Sequence, residues 1–162
     1  MRNKVNLSEE RLQLVLHDAL LNYAFVDSPD KDGVYRGLFV KEGADAARIR
    51  KAIEEFAANG EQDMKCRVDI GGKLTDESIE LSAKSNYEPR KAYRLGCETK
   101  EFYSGAPVDV AINCFFYQYA GRVGVSYGLY AICKNGEGER LNEFNAAATF
   151  GGEFIDEKVL ED

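Results

Sequence analysis

Apolar and polar residues alternate with a period of two along most of this chain, and in one stretch the period lengthens. Leu12, Leu14 and Leu16 face one way and Gln13 and Val15 the other, which predicts a strand. The apolar run Leu20 to Val26 predicts an extended or bent continuation, and Asp27 to Gly33 reads as a turn-rich loop. Val34 to Val40 predicts a second strand. From Ala44 to Asn59 the spacing is helical. Ile49, Ala52, Ile53 and Phe56 form one stripe, with Arg50, Lys51, Glu54 and Glu55 off it. Asp45 is placed to cap the start of this helix and Gly60 to end it. The period of two then returns. Cys66, Val68 and Ile70 share a face, Gly71-Gly72 interrupts, and Ile79, Leu81 and Ala83 alternate with Glu80, Ser82 and Lys84. Beyond a loop containing Pro89 come two longer strands. Val108, Val110, Ile112, Cys114 and Phe116 share a face of the first; Val123, Val125, Tyr127, Leu129, Ala131 and Cys133 share a face of the second. Asn135-Gly136-Glu137-Gly138 is a turn.

Several short strands with a single helix among them predict a mainly β (α+β) small barrel. The βαβ alternation of a Rossmann-like sheet is missing. Pattern alone does not separate an OB-type barrel from other small barrels. A chain of 162 residues has the length of one domain, and a domain of this size buries roughly 70% of its unfolded surface. No apolar stretch approaches the roughly 20 residues of a membrane helix. Met1-Arg2-Asn3-Lys4 is not followed by the apolar block of a signal peptide, so the expected setting is the cytoplasm, without a membrane.

Cys66, Cys97, Cys114 and Cys133 are far apart, no CxxC pair occurs, and His17 is the only histidine. Zinc sites favour closely spaced soft ligands. Reduced thiols at inward-facing strand positions are therefore expected for Cys66, Cys114 and Cys133, with no metal and no other cofactor. The net charge of −7 is unevenly placed. The last ten residues carry five acids and one base, whereas Lys84 to Lys100 carries five bases and two acids.

The face of the 108–119 strand opposite its core side reads Asp109, Ala111, Asn113, Phe115, Tyr117, Tyr119. Aromatics there serve either as stacking platforms for bases or as a second core face covered by the helix or a dimer partner. The corresponding face of the next strand is Gly124, Ser126, Gly128 and Tyr130. Its small residues permit close approach of a ligand or backbone, and glycine also serves barrel curvature. Lys84 to Arg94 interleaves bases and tyrosines, the residue types that neutralise phosphate and offer flat faces. The acids form no spaced carboxylate constellation, and neither Gly71-Gly72 nor Gly151-Gly152 matches a P-loop or dinucleotide-binding motif, which argues against an enzyme.

The order of segments resembles a family of small phage single-stranded DNA-binding proteins. The resemblance rests on Tyr35 to Lys41 leading into a helix with Ile-Arg-Lys-Ala-Ile-Glu-Glu, and on Ile79 to Ser85. It rests further on Phe-Tyr-Ser-Gly-Ala-Pro-Val-Asp-Val-Ala-Ile-Asn at 102–113 and Gly-Val-Ser-Tyr-Gly-Leu-Tyr-Ala-Ile-Cys-Lys-Asn-Gly-Glu-Gly at 124–138. It spans residues 12–152. The resemblance implies an OB-like barrel with one inserted helix over residues 1–152. It also implies an acidic tail, residues 153–162, that meets replication proteins (a polymerase, helicase or primase). On this reading Lys84, Arg90, Lys91, Arg94 and Arg122 hold phosphates, and Tyr87, Tyr93, Phe115, Tyr117 and Tyr119 stack bases. In the tail, Glu153, Phe154, Asp156, Glu157, Glu161 and Asp162 bind a partner. The implied function is non-catalytic coating of single-stranded DNA in phage replication, recombination or repair. The chain departs from this pattern in lacking Trp and in a body that is not net basic. The competing reading is a protein-interaction module, a phage inhibitor of a host factor, whose aromatic face binds protein; a homodimer is compatible with either.

Overall fold

The computed structural model describes residues 5–141 and 150–153. Eight strands and one helix follow in the order β1 (Leu12–Phe25), β2 (Tyr35–Glu42), α1 (Ala44–Met64), β3 (Val68–Ile70), β4 (Lys73–Leu74), β5 (Ser78–Ser85), β6 (Arg90–Tyr93), β7 (Pro107–Tyr119) and β8 (Arg122–Lys134). Five of them close a barrel. β1 pairs antiparallel with β2 and β7, β2 with β5, and β7 with β8. The ring shuts where β5 meets β8 in parallel, at Lys84 opposite Gly128. β3 and β6 add to β8 in parallel, and β4 extends β5.

β1 reaches both neighbours because it bends. Its first half lies along β7 and its second half along β2, with register shifts at Leu16/Ala19 and Leu21/Tyr23. Asp18 stands in the left-handed region (φ 52), a conformation Asp tolerates better than most residues. Bulges of this kind bend a strand and let a sheet curl. The predicted strand of 12–16 and the apolar run of 20–26 are therefore one element.

The barrel interior is filled by the alternating apolar positions read from the sequence. Leu14, Leu16, Leu21, Phe39, Ile79, Leu81, Val108, Val110, Ile112, Cys114, Val123, Val125 and Leu129 are all buried. Helix α1 adds Ala46, Ile49, Ile53 and Ala57 to this core. The Phe56 ring stacks on Phe116, with centroids 4.4 Å apart and planes 9° from parallel.

Three local expectations are corrected. Gly43 caps the helix, with no side-chain cap, and Asp45 lies inside the first turn beside Arg48. Gly60 does not end the helix. It is buried within it, where an added Cβ would overlap the Phe116 ring, and the helix stops at the left-handed Lys65. Ala131 and Cys133 do not continue the core face of β8, because a register shift at Ala111/Ile112 turns the strand over. Beyond it Ile132 and Lys134 point inward. All four cysteines are free, and Cys114 is buried, which pushes its thiol up to about 12; Cys66 and Cys133 are only half-buried.

The buried Lys134 anchors the end of β8. Its Nζ donates to Thr99 O and Thr99 Oγ1 at 3.1 and 2.9 Å and lies 2.8 Å from Glu137 Oε2. The Lys134 ammonium above all, with the amides of Glu98 and Thr99 and the Tyr103 hydroxyl, pulls the Glu137 carboxyl down to about 2. Tyr103 OH also bonds the backbone of Gly138, and Ser104 O accepts from Leu141 N–H at 2.8 Å. Gly105, at φ 107, sits so close to Glu139 O that any Cβ would overlap it. The Tyr-Ser-Gly segment thus fixes the chain where it leaves the barrel.

Candidate nucleic-acid interface

The β7–β8 hairpin turns at Ala120-Gly121, both in the left-handed region that tight hairpin turns require. Its register sets large residues of β7 against small ones of β8. Phe115 faces Ser126, Tyr117 faces Gly124, and Asn113 faces Gly128. The rings spread over the vacated space; a Cβ on Gly124 would come within 3.0 Å of the Tyr117 ring. Gln13 of β1, with Arg11 just before the strand, borders this face. The Arg11 guanidinium lies 4.9 Å from the Phe115 ring centre, and Gln13 Nε2 donates to Asn113 Oδ1 at 3.2 Å. β5 brings Lys84 from the other side, and β6 brings Arg90, 5.7 Å from the Tyr130 ring centre.

Two depressions lie along this wall. One of about 240 Å³ is lined by Arg11, Lys84, Asn113, Phe115, Gly128 and Tyr130. The next, about 320 Å³, is lined by Val15, His17, Arg90, Arg94, Ala111 and Cys133 among others. At its edge Asp109 accepts from Asn135 Nδ2 (2.8 Å), the Asp18 amide (2.9 Å) and Arg94 (2.6 Å), with His17 Nδ1 at 3.2 Å. Burial opposes ionisation of Asp109, and these bonds outweigh it, holding the carboxyl well below the usual range.

The structure gathers some of the residues singled out from the sequence and parts others. Lys84, Arg90, Phe115 and Tyr117 share the face just described. Tyr119 stands exposed at its tip and Tyr87 in the 86–89 turn. Arg94 is on the face with its charge committed to Asp109, and Arg122 is committed to Asp69 at 3.0 Å. Lys91 points away. Its largely covered ammonium pairs with Glu88 at 2.8 Å and Asp27 at 3.4 Å. Tyr93 is half-buried against the core, its ring 5.4 Å from that of Phe102. Strand alternation accounts for the split: Arg90 and Ala92 look outward from β6, as does Arg94 just beyond it, and Lys91 and Tyr93 look inward. Of the tail residues, Phe154, Asp156, Glu157, Glu161 and Asp162 lie outside the described residues, and Glu153 is exposed.

Sequence reasoning missed Arg11, Gln13 and Tyr130. The signal for the first two was available, because 11, 13 and 15 share the parity of the polar side of β1. Arg11, Lys84 and Arg90 have no ion-pair partner among the described residues, which leaves their charge for an anion. Among those residues no three His, Cys, Asp or Glu side chains gather as a metal site would require, and no helix is long and apolar enough to cross a membrane.

No protein-family model matches the sequence, and no curated protein matches it. Solved structures do match. The single-stranded DNA-binding protein from bacteriophage Enc34 aligns over 91% of this chain and 99% of its own, at 14% identity and a TM-score of 0.64. The same protein in complex with ssDNA aligns over 85% of this chain and 99% of its own, at 15% identity and a TM-score of 0.63. Gp2.5, the single-stranded DNA-binding protein encoded by bacteriophage T7, aligns over 92% of this chain and 100% of its own, at 15% identity and a TM-score of 0.56. The chain thus has the fold of these phage single-stranded DNA-binding proteins, a closed five-stranded, OB-like barrel carrying one inserted helix.

Proposed function

We propose that this protein binds single-stranded DNA without catalysis, coating and protecting transient single strands during phage DNA replication, recombination or repair. The observation that carries the reading is the outer wall of β1, β7, β8, β5 and β6. There Phe115 and Tyr130, with Tyr117 further along β7, stand beside Arg11, Lys84 and Arg90, cations with no ion-pair partner among the described residues. Flat rings accept bases of any sequence, and cations between them neutralise the backbone that connects those bases. The fold shared with the Enc34 protein, which is solved with ssDNA, supports the same reading. The acidic residues 153–162 act as a second element that competes for the cationic face until DNA fills it and then meets a replication protein.

Titration of fluorescent oligo(dT) at several salt concentrations tests the proposal. Affinity falls as salt rises, with a log–log slope of about −0.7 for each phosphate neutralised. Absence of binding at low salt overturns it.

A further inference from the structure

We propose that the depression over Gly128 is a subsite for a single unstacked base, a proposal that rests on the single-stranded DNA reading above. The first observation concerns why residue 128 is a glycine. Of the three glycines in the described strands, Gly37 and Gly124 are crowded by rings, those of Phe39 and Tyr117. Gly128 is different. It has no left-handed φ to accommodate, and an added Cβ would meet the Phe115 ring at 3.4 Å and Asn113 O at 3.5 Å, ordinary contacts. Neither a left-handed φ nor an overlap at Cβ requires glycine there. A mid-strand glycine weakens a fold by about 0.5–1 kcal/mol relative to alanine, and it often marks where a ligand comes close to the backbone. Here the missing side chain opens the cavity of about 240 Å³.

The second observation is what surrounds the opening. Phe115 and Tyr130 offer flat faces, and Arg11 and Arg90 lie against those two rings. Lys84, opposite Gly128 in the β5–β8 register, places a cation beside it for the adjoining phosphate. The Gln13–Asn113 hydrogen bond engages Gln13 Nε2 and Asn113 Oδ1, which leaves Gln13 Oε1 as acceptor and Asn113 Nδ2 as donor for the edge of a base. The volume falls below the roughly 300–1,000 Å³ of pockets for drug-sized ligands, as suits one planar base.

Gly128→Ala and Gly128→Val test this, Val being at home in a strand. Thermal melting is measured for each protein. Affinity is measured for oligo(dT) of the minimal site length and for the same oligonucleotide with one abasic position moved along it. Gly128→Ala melts at or above the wild-type temperature, and folded Gly128→Val loses roughly 5- to 150-fold in affinity, the equivalent of one stacked base at about 1–3 kcal/mol. Gly128→Ala loses less. One abasic position weakens the wild type and leaves Gly128→Val unaffected. A folded Gly128→Val with wild-type affinity, or an abasic profile in the wild type without a sensitive position, overturns the subsite while the single-strand reading stands. Should Gly128→Val fail to fold, Gly128→Ala and the wild-type abasic profile decide in the same way. A wild type that binds no oligonucleotide overturns both.

Discussion

Lys84 and Lys91 belong to one basic stretch of sequence and finish in opposite situations. Lys84 stands exposed beside Gly128, whereas Lys91 is folded inward against Asp27 and Glu88. Lys84→Ala therefore weakens oligo(dT) binding and flattens its log–log salt slope by about 0.7, the share of one phosphate. Lys91→Ala leaves that slope unchanged and lowers the melting temperature, by an amount set by ion pairs worth about 1 kcal/mol or less. A salt titration of both variants separates them. The tyrosines divide similarly. Tyr119 is 76% exposed, so Tyr119→Ala costs roughly 1–3 kcal/mol of DNA affinity with no change in melting. Equal affinity in that variant removes Tyr119 from the site. Sequence composition placed Lys84, Lys91, Tyr119 and the half-buried Tyr93 together among the DNA contacts. Their separation depends on which side of a four-residue strand faces the barrel and on where Phe102 and Asp27 return to it, and neither fact is local.

At the scale of elements, strand alternation was legible wherever the register is regular and misleading where it shifts. The core face of β7 holds without interruption from Val108 to Phe116. That of β8 holds only to Leu129, because the bulge beside Tyr130 exchanges Ala131 and Cys133 for Ile132 and Lys134. A lysine facing inward was not foreseeable, since Thr99 lies 35 residues away. This buried charge makes the end of β8 sensitive to acid. The folded Glu137 carboxyl ionises at about 2, below its ordinary 4.5. Its contribution to stability is thus complete above about pH 4.5 and disappears as pH falls toward 2. Glu137→Gln should melt below the wild type at neutral pH and converge with it across that window. Melting curves recorded from pH 7 to pH 2 check this; parallel curves for the two proteins show that the latch does not depend on the carboxylate.

For the whole molecule, a mainly β small barrel was readable from the order of periods, with one helical stretch between β2 and the strands that follow, and its OB likeness from the family resemblance. The path of the cationic face was not, because it draws on five strands that meet only when β5 closes onto β8. The net charge of −7 is compatible with binding a polyanion because Arg11, Lys84 and Arg90, on one wall, have no acidic partner among the described residues. On the reading proposed above, the acids of residues 153–162 compete with phosphate for that wall. Deleting them should tighten oligo(dT) binding at low salt, with the difference shrinking as salt rises. Unchanged or weaker binding by the folded, truncated protein shows that the tail does not compete.

The most direct test is a competition measurement: labelled oligo(dT) bound at low salt, challenged with unlabelled single strand and, separately, with unlabelled duplex of equal length. Rings set between cations on one barrel wall need unpaired bases, so single strand should displace the label at far lower concentration than duplex. Equal displacement by both would mean that the phosphates alone are recognised, and would contradict a site built to stack bases.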